Sequence, residues 1–111
     1  MTKRELLVEA RKLVAGGWTQ KTYSRDAYGH QIPFGDSRCS QFCLSGAVQH
    51  AGAVNGGFGF VQKAVLAELR DAIGPNTAIA LWNDAKDRTQ QEVLDVIDKA
   101  IKALDERGDR E

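Results

Sequence analysis

The sequence predicts a mainly helical α+β fold: four helices around one core, with a small β-hairpin and a short extended segment packed on it. Three observations predict it. Thr-x-x-Glu capping boxes at Thr2–Glu5 and Thr89–Glu92 open stretches of helical apolar periodicity near the two ends of the chain. Between them, Gly-rich stretches and Gly74-Pro75 punctuate further apolar runs. Residues 18–35 break the pattern, alternating large and polar side chains around Asp26-Ala27-Tyr28-Gly29. At 111 residues the chain has the size of one domain, with 1–107 expected to fold as a unit and 108–111 to fray.

In the first helix Thr2 is the N-cap, Leu6, Leu7, Ala10, Leu13 and Val14 make the apolar face, and Gly16-Gly17 ends it. Trp18–Tyr23 and His30–Pro33 are expected as the two short strands of the hairpin, the second at an edge because Pro33 has no N–H to donate. Asp36 or Ser37 is expected to cap a second helix from about Arg38 to Ala51, with Cys39, Phe42, Cys43, Gly46, Ala47 and His50 in one stripe. Its lack of charge after Arg38 predicts burial over most of its circumference. Gly46 costs about 1 kcal/mol against Ala in a helix interior, which points to close approach by a neighbouring backbone or ring. Gly52–Gly59 reads as a linker or mobile loop. A third helix runs from about Phe60, with Val61, Val65, Leu66, Leu69 and Ile73 apolar, to Gly74-Pro75. The uncharged run Ala78–Trp82 is expected as a buried extended segment. The last helix lines one face with Val93, Val96, Ile97, Ala100, Ile101 and Leu104; Asp87 precedes its positive end, and Lys99, Lys102 and Arg107 lie toward its negative end.

Fifteen Lys+Arg balance fifteen Asp+Glu, and the formal net charge is zero. That argues against a bulk polyanion or membrane-surface binder, and equally against an acidic DNA mimic. The neutrality is uneven: residues 1–40 hold seven Lys/Arg against four Asp/Glu, and residues 84–111 hold six against nine. Side-by-side packing of the first and last helices would offset these charges; separation would leave one basic and one acidic face. Glu9, Arg11 and Lys12 interrupt the apolar stretch a signal peptide needs, and no run approaches the roughly 18 apolar residues of a membrane span. Cys39 and Cys43 stand four apart, a spacing on one helix that suits a disulfide poorly. Two free thiols fit a reducing compartment, and a cytoplasmic location is expected.

Several short strings recur in a fixed order: Gly17-Trp18-x-Gln20, Arg25-Asp26-x-x-Gly29, Cys43-x-x-Gly46-Ala47, Trp82-Asn83-Asp84, and Arg88-Thr89-x-x-Glu92-Val93-Leu94. Together they resemble a family of small bacterial and phage proteins described only as a domain of unknown function, over a span from about Leu6 to Leu104. The resemblance implies a cytoplasmic setting associated with phage or mobile elements, and no activity comes with it. The glycine-rich Gly52–Gly59 stretch is a departure from the family's pattern.

Candidate catalytic residues are Cys43, Cys39, Asp84 and His50. Cys43 could act as nucleophile with His50 as base and Asn83 or Asp84 as orienting group. Seven residues along a helix are roughly 10 Å, whereas nucleophile and base must come within about 3 Å, so the spacing favours Cys43 as a small buried apolar residue. Cys39, in the first turn of the expected helix, would be the more reactive thiol. A metal set of Cys39, Cys43, His30 and His50 does not close at helical spacing; no metal and no cofactor are expected. Asp84 could serve as an acid or base beside Trp82, with Asp26 as a second carboxylate. The competing reading has Asn83 and Asp84 capping loop amides and Arg88 pairing with Asp84. Candidate binding residues are Trp18, Tyr23, Arg25, Tyr28, Phe58, Asn83 and Asp84, because aromatics gathered in irregular segments beside arginines resemble a protein-binding patch. Gly56-Gly57-Phe58-Gly59 lacks the Gly-Lys-Ser/Thr ending of a phosphate loop.

The leading expectation is a non-enzymatic protein-interaction module, encoded by a phage or mobile element, that binds and modulates a host protein; its sharpest form is an inhibitor of a bacterial defence system such as an anti-CRISPR. The alternative is a small thiol- or carboxylate-dependent hydrolase or transferase using Cys43 or Cys39 with Asp84. A third reading is a nucleic-acid-associated regulator using Lys3, Arg4, Arg11, Lys12, Lys21 and Arg25. A host protein or a second copy of the chain is the expected partner, and a homodimer is compatible with the sequence. Neither direct nucleic-acid nor membrane contact is expected.

Overall fold

Each capping box does what its spacing predicts: Thr2 and Thr89 accept the N–H of Glu5 and Glu92, whose carboxylates accept the cap N–H in return. They open α1 (Lys3–Gly16) and α5 (Gln90–Arg107). In chain order the computed structural model, which describes residues 1–56 and 59–108, continues from α1 with β1 (Ser24–Arg25), β2 (Gln41–Phe42), α2 (Leu44–Asn55), α3 (Phe60–Ile73), α4 (Ile79–Asn83) and α5. The expectations for Phe58 and residues 109–111 lie outside the described residues; Gly108 is the left-handed C-cap of α5. No helix among the described residues is long and apolar enough to cross a membrane.

The architecture is the mainly α, single-core arrangement the sequence predicts. α1 lies against α2, α3 and α5, and Leu6, Leu7, Ala10 and Val14 on its inner face are completely buried with Val65, Leu69, Val93, Ile97 and Leu104. Each such aliphatic side chain contributes about 1.5–3 kcal/mol by leaving water. α1 and α5 pack side by side, so the unequal charges of the two ends offset each other: Arg4 pairs with Asp105 (3.0 Å), and Arg11 with Asp98. These pairs are exposed and orient the helices more than they stabilise them.

Three elements differ from expectation. The second helix starts at Leu44, not Arg38. Asp36 does accept the Arg38 N–H (2.8 Å), but as a local turn. Residues 40–42 are held extended because Ser40 N–H donates to the Arg25 carbonyl and Phe42 N–H to that of Gly17. The helix then runs on through Gly52 to Asn55, so the first part of the expected glycine loop is helical, and Gly56 ends it in the left-handed conformation. The hairpin is also re-paired. The Asp26–Gly29 turn forms, and one bridge joins Arg25 to Gln31, but the two-stranded antiparallel sheet pairs Ser24 with Phe42 and Arg25 with Gln41. Phe42, 2 % exposed, gains a core position there. Finally, Ile79–Asn83 is a short helix, making five helices among the described residues. An uncharged run of this length reads equally as buried strand or buried helix, and the helical turn places Ile79 and Asn83 on the same inward face.

Gly46 is tolerated mid-helix for the predicted reason: a Cβ there would overlap the Tyr23 carbonyl oxygen. Gly17 is matched as closely to the Ser40 carbonyl. Gly46→Ala is therefore expected to cost at least about 2 kcal/mol, because backbone cannot yield as a side chain can, and to lower the melting temperature by roughly 8 °C or more. Gly16→Ala, with open space around it, is the matched control and is expected to melt at or slightly above the parent temperature. Equal melting of the two variants would remove the close-packing account of Gly46.

Candidate functional site

The sequence strings singled out above converge on one joint. Asn83, at the end of α4, is completely buried. Its Oδ1 accepts from the Trp18 indole N–H (2.9 Å) and the Leu44 N–H (3.0 Å); its Nδ2 donates to the Thr19 carbonyl (3.1 Å) and Asp84 Oδ1 (3.1 Å). A primary amide offers two donors and two acceptor positions, and all are used. Around it, Gln20 Nε2 donates to the Asn83 and Ala85 carbonyls (2.9 and 3.0 Å), and Asp84 Oδ1 accepts the Lys21 N–H (2.9 Å). The loop after α1 is thereby wrapped onto the end of α4 and the start of α2. Lys21, at φ 74°, is the one non-glycine residue with a left-handed backbone among those described.

Arg25, a candidate binding residue, is spent within the fold: its guanidinium donates to Thr19 Oγ1 (2.8 Å) and to the carbonyls of Gly29 (3.0 Å) and Gln20 (3.3 Å). Trp18 is half-buried with its N–H on Asn83. Arg88 does not pair with Asp84. It lies 3.9 Å above the Trp82 ring, donates to the Trp82 carbonyl (2.9 Å) and reaches Glu92 (3.2 Å), because Asp84 is already turned toward Lys21 and Asn83. Tyr28 is 86 % exposed on the turn, away from the pockets described next.

Cys43 is the N-cap of α2, and its Sγ accepts the Gly46 N–H at 3.2 Å. Burial pushes its pKa above the ordinary thiol value, against the opposing effect of that N–H, and Asp84 adds to the rise. Cys39 is not in a helical first turn; it lies in the loop before β2, half-buried, with its S–H donating to the Pro33 carbonyl (3.2 Å). His50, 8 % exposed, accepts the Gly35 N–H at Nδ1 (2.8 Å) and stacks on Phe42 at 4.8 Å. Its Nδ1 is engaged by Gly35 and the Cys43 Sγ by Gly46, and no hydrogen bond joins the two side chains among the described residues. Asp26 accepts from the amides of Tyr28 and His30, apart from Asp84. Among the described residues no three His, Cys, Asp or Glu side chains are grouped to hold a metal ion.

What the fold does bring together is Lys21, Thr22, Tyr23, Cys43, Ala80 and Asp84, around an open pocket of about 350 Å³. A second open pocket, of about 380 Å³, shares Thr22 and Tyr23 with the first and is otherwise lined by Gln31, Ile32, Pro33 and Phe34. Tyr23 is 49 % exposed and meets Phe34 edge-on at 5.7 Å. Thr22 and Ala80 were not among the expected site residues, and Lys21 was expected only as one cation of the nucleic-acid reading. Nothing in the local string marks a left-handed lysine, and Ala80 reaches the pocket only because residues 79–83 are helical.

Two measurements follow. With iodoacetamide at pH 7, Cys43 is expected to react at least about tenfold more slowly than free cysteine, and Cys39 before it, because the alkylated species is the thiolate; fast labelling of Cys43 would restore a thiol-enzyme reading. His50 must be unprotonated at Nδ1 to accept from Gly35, and burial holds its pKa below the ordinary value, against a smaller opposing effect of Asp36. The unfolded chain therefore takes up this proton first, near pH 6.5. Stability supplied by neutral His50 is complete above that pH and is lost as pH falls toward the lower folded pKa. Urea midpoints are expected to decline between pH 8 and pH 5 in the parent and to flatten in His50→Gln.

A family model described as a family of unknown function (DUF6197) matches residues 1–103. No curated protein and no solved structure shows significant similarity to the chain. The matched span takes in α1, the Asn83 joint, both pockets and all but the last turn of α5, and the chain belongs to this family of unknown function, DUF6197.

Proposed function

We propose that the chain is a non-enzymatic protein-interaction module that seats side chains of a partner in the two pockets that Tyr23 lines. The observation that carries this reading is Tyr23 itself: a half-exposed aromatic that lines two open cavities, of about 350 and 380 Å³, beside the hydrogen-bonded Asn83 joint. Half-exposed aromatics beside preformed pockets are where binding energy concentrates. Leu81, which follows pocket-lining Ala80 on α4, is 75 % exposed. The thiol and imidazole that an enzyme would need are committed elsewhere, Cys43 to capping α2 and His50 to the Gly35 amide.

The finer form of the proposal places the module in the bacterial cytoplasm as a phage- or mobile-element product whose partner belongs to a host defence system. That setting rests on the sequence resemblance, and the pockets supply the means of attachment. Immobilised parent protein is expected to retain a host protein from bacterial lysate that Tyr23→Ala releases by tenfold or more, while Phe60→Ala, at an exposed residue lining neither pocket, retains it. Equal retention by parent and Tyr23→Ala would refute the docking surface. Plaque counts on a host with active defence, expected to rise on expression of the parent and not of Tyr23→Ala, test the finer form.

A further inference from the structure

Resting on the Tyr23 docking surface, we propose that its partner is a peptide segment carrying a carboxylate next to an apolar side chain: the carboxylate pairs with Lys21, and the apolar group enters the pocket between Tyr23 and Ala80. The charge pattern at the pocket points to this occupant. Lys21 and Asp84 are its charged linings. Asp84 already receives two N–H groups, from Lys21 and Asn83. The Lys21 ammonium, at the pocket lining, makes no hydrogen bond or ion pair among the described residues. Behind the same turn the Arg25 guanidinium meets only neutral oxygens, those of Thr19, Gln20 and Gly29. Asp26, its sequence neighbour, is held by the Tyr28 and His30 amides and by the His30 ring. The rim of the pocket thus carries a cation in want of an anion.

The backbone of Lys21 supports the same occupant. An L-residue at φ 74° is strained, and Asn or Gly would take that conformation more easily. Asp84 holds the strained turn by its amide, and the turn sets the lysine at the mouth of the pocket. One cation with a carboxylate at its side suits a single carboxylate on an otherwise apolar ligand. A phosphate backbone needs several cations in line, and this rim offers one.

The test is selection of a random linear peptide library on the intact protein, followed by affinity measurement of the enriched peptides on the parent, Lys21→Asn and Tyr23→Ala. Lys21→Asn removes the charge and suits the left-handed turn, so its melting temperature is expected at or above that of the parent. The enriched peptides are expected to join Asp or Glu to a Leu, Met or aromatic neighbour. They should weaken about 3- to 10-fold on Lys21→Asn and lose that difference in high salt. Peptides that require Tyr23 but carry no acidic residue and ignore Lys21→Asn would overturn this proposal and leave the docking surface standing. Peptides indifferent to Tyr23→Ala, or no enrichment at all, would overturn both. A single-stranded oligonucleotide that binds through Lys21 and displaces the peptides would give the site to nucleic acid and overturn the peptide assignment.

Discussion

The buried amide of Asn83 is the constraint on which both the fold and the pocket depend. It fastens the loop after α1, the first amide of α2 and the end of α4 at one point. Its chemistry admits little substitution. An aspartate would present oxygen to the Thr19 carbonyl, and a leucine would strand the Trp18 and Leu44 N–H groups, each orphaned donor costing about 1–3 kcal/mol. A fully satisfied polar group inside an apolar core also selects one arrangement among many, because only one orientation of the amide satisfies every partner. Trp18, Thr19, Leu44 and Asp84 are therefore positioned by a common atom set, and the left-handed turn at Lys21 follows from where Asp84 is left pointing.

Two close approaches complete the joint. Gly17 admits the Ser40 carbonyl and Gly46 admits that of Tyr23, so the extended chain lies directly on α1 and α2 without side chains between. Cys43 occupies a position where Ser, Thr, Asp or Asn usually stands. Its thiol caps the helix less strongly than a hydroxyl, but it also faces an apolar cavity wall, where sulfur is at less disadvantage than oxygen. A cysteine in such a place has a structural occupation, as the N-cap of α2.

The sequence made α1 and α5 legible because capping boxes and apolar periodicity are local signals, and α3 because Gly74-Pro75 closes it. It made Gly46 legible as a place of close approach, though not what approaches. The start of α2 was hidden because Asp36 caps equally well as a helix N-cap or an isolated turn, and the choice is made by Phe42 pairing with Ser24, 18 residues away. Ile79–Asn83 was hidden because its run is too short for periodicity to speak. The motif residues Trp18, Arg25 and Asn83 could be picked out, but whether each faces solvent or the interior depends on non-local hydrogen bonds. Lys21 could be picked out only as one basic residue among several, since its unusual backbone is held by Asp84 from 63 residues further on.

That separation has a bearing on how the molecule is made. Trp18 and Asn83 are 65 residues apart in the chain, so the loop they close is entropically costly and rewards folding only after the helices between them exist. During synthesis α1, α2 and α3 can form while the amide that seats Trp18 is still within the ribosome. The Tyr23 pocket is then among the last features to acquire its shape. A chain stalled before α4 lacks Ala80 and Asp84, and with them one wall of that pocket.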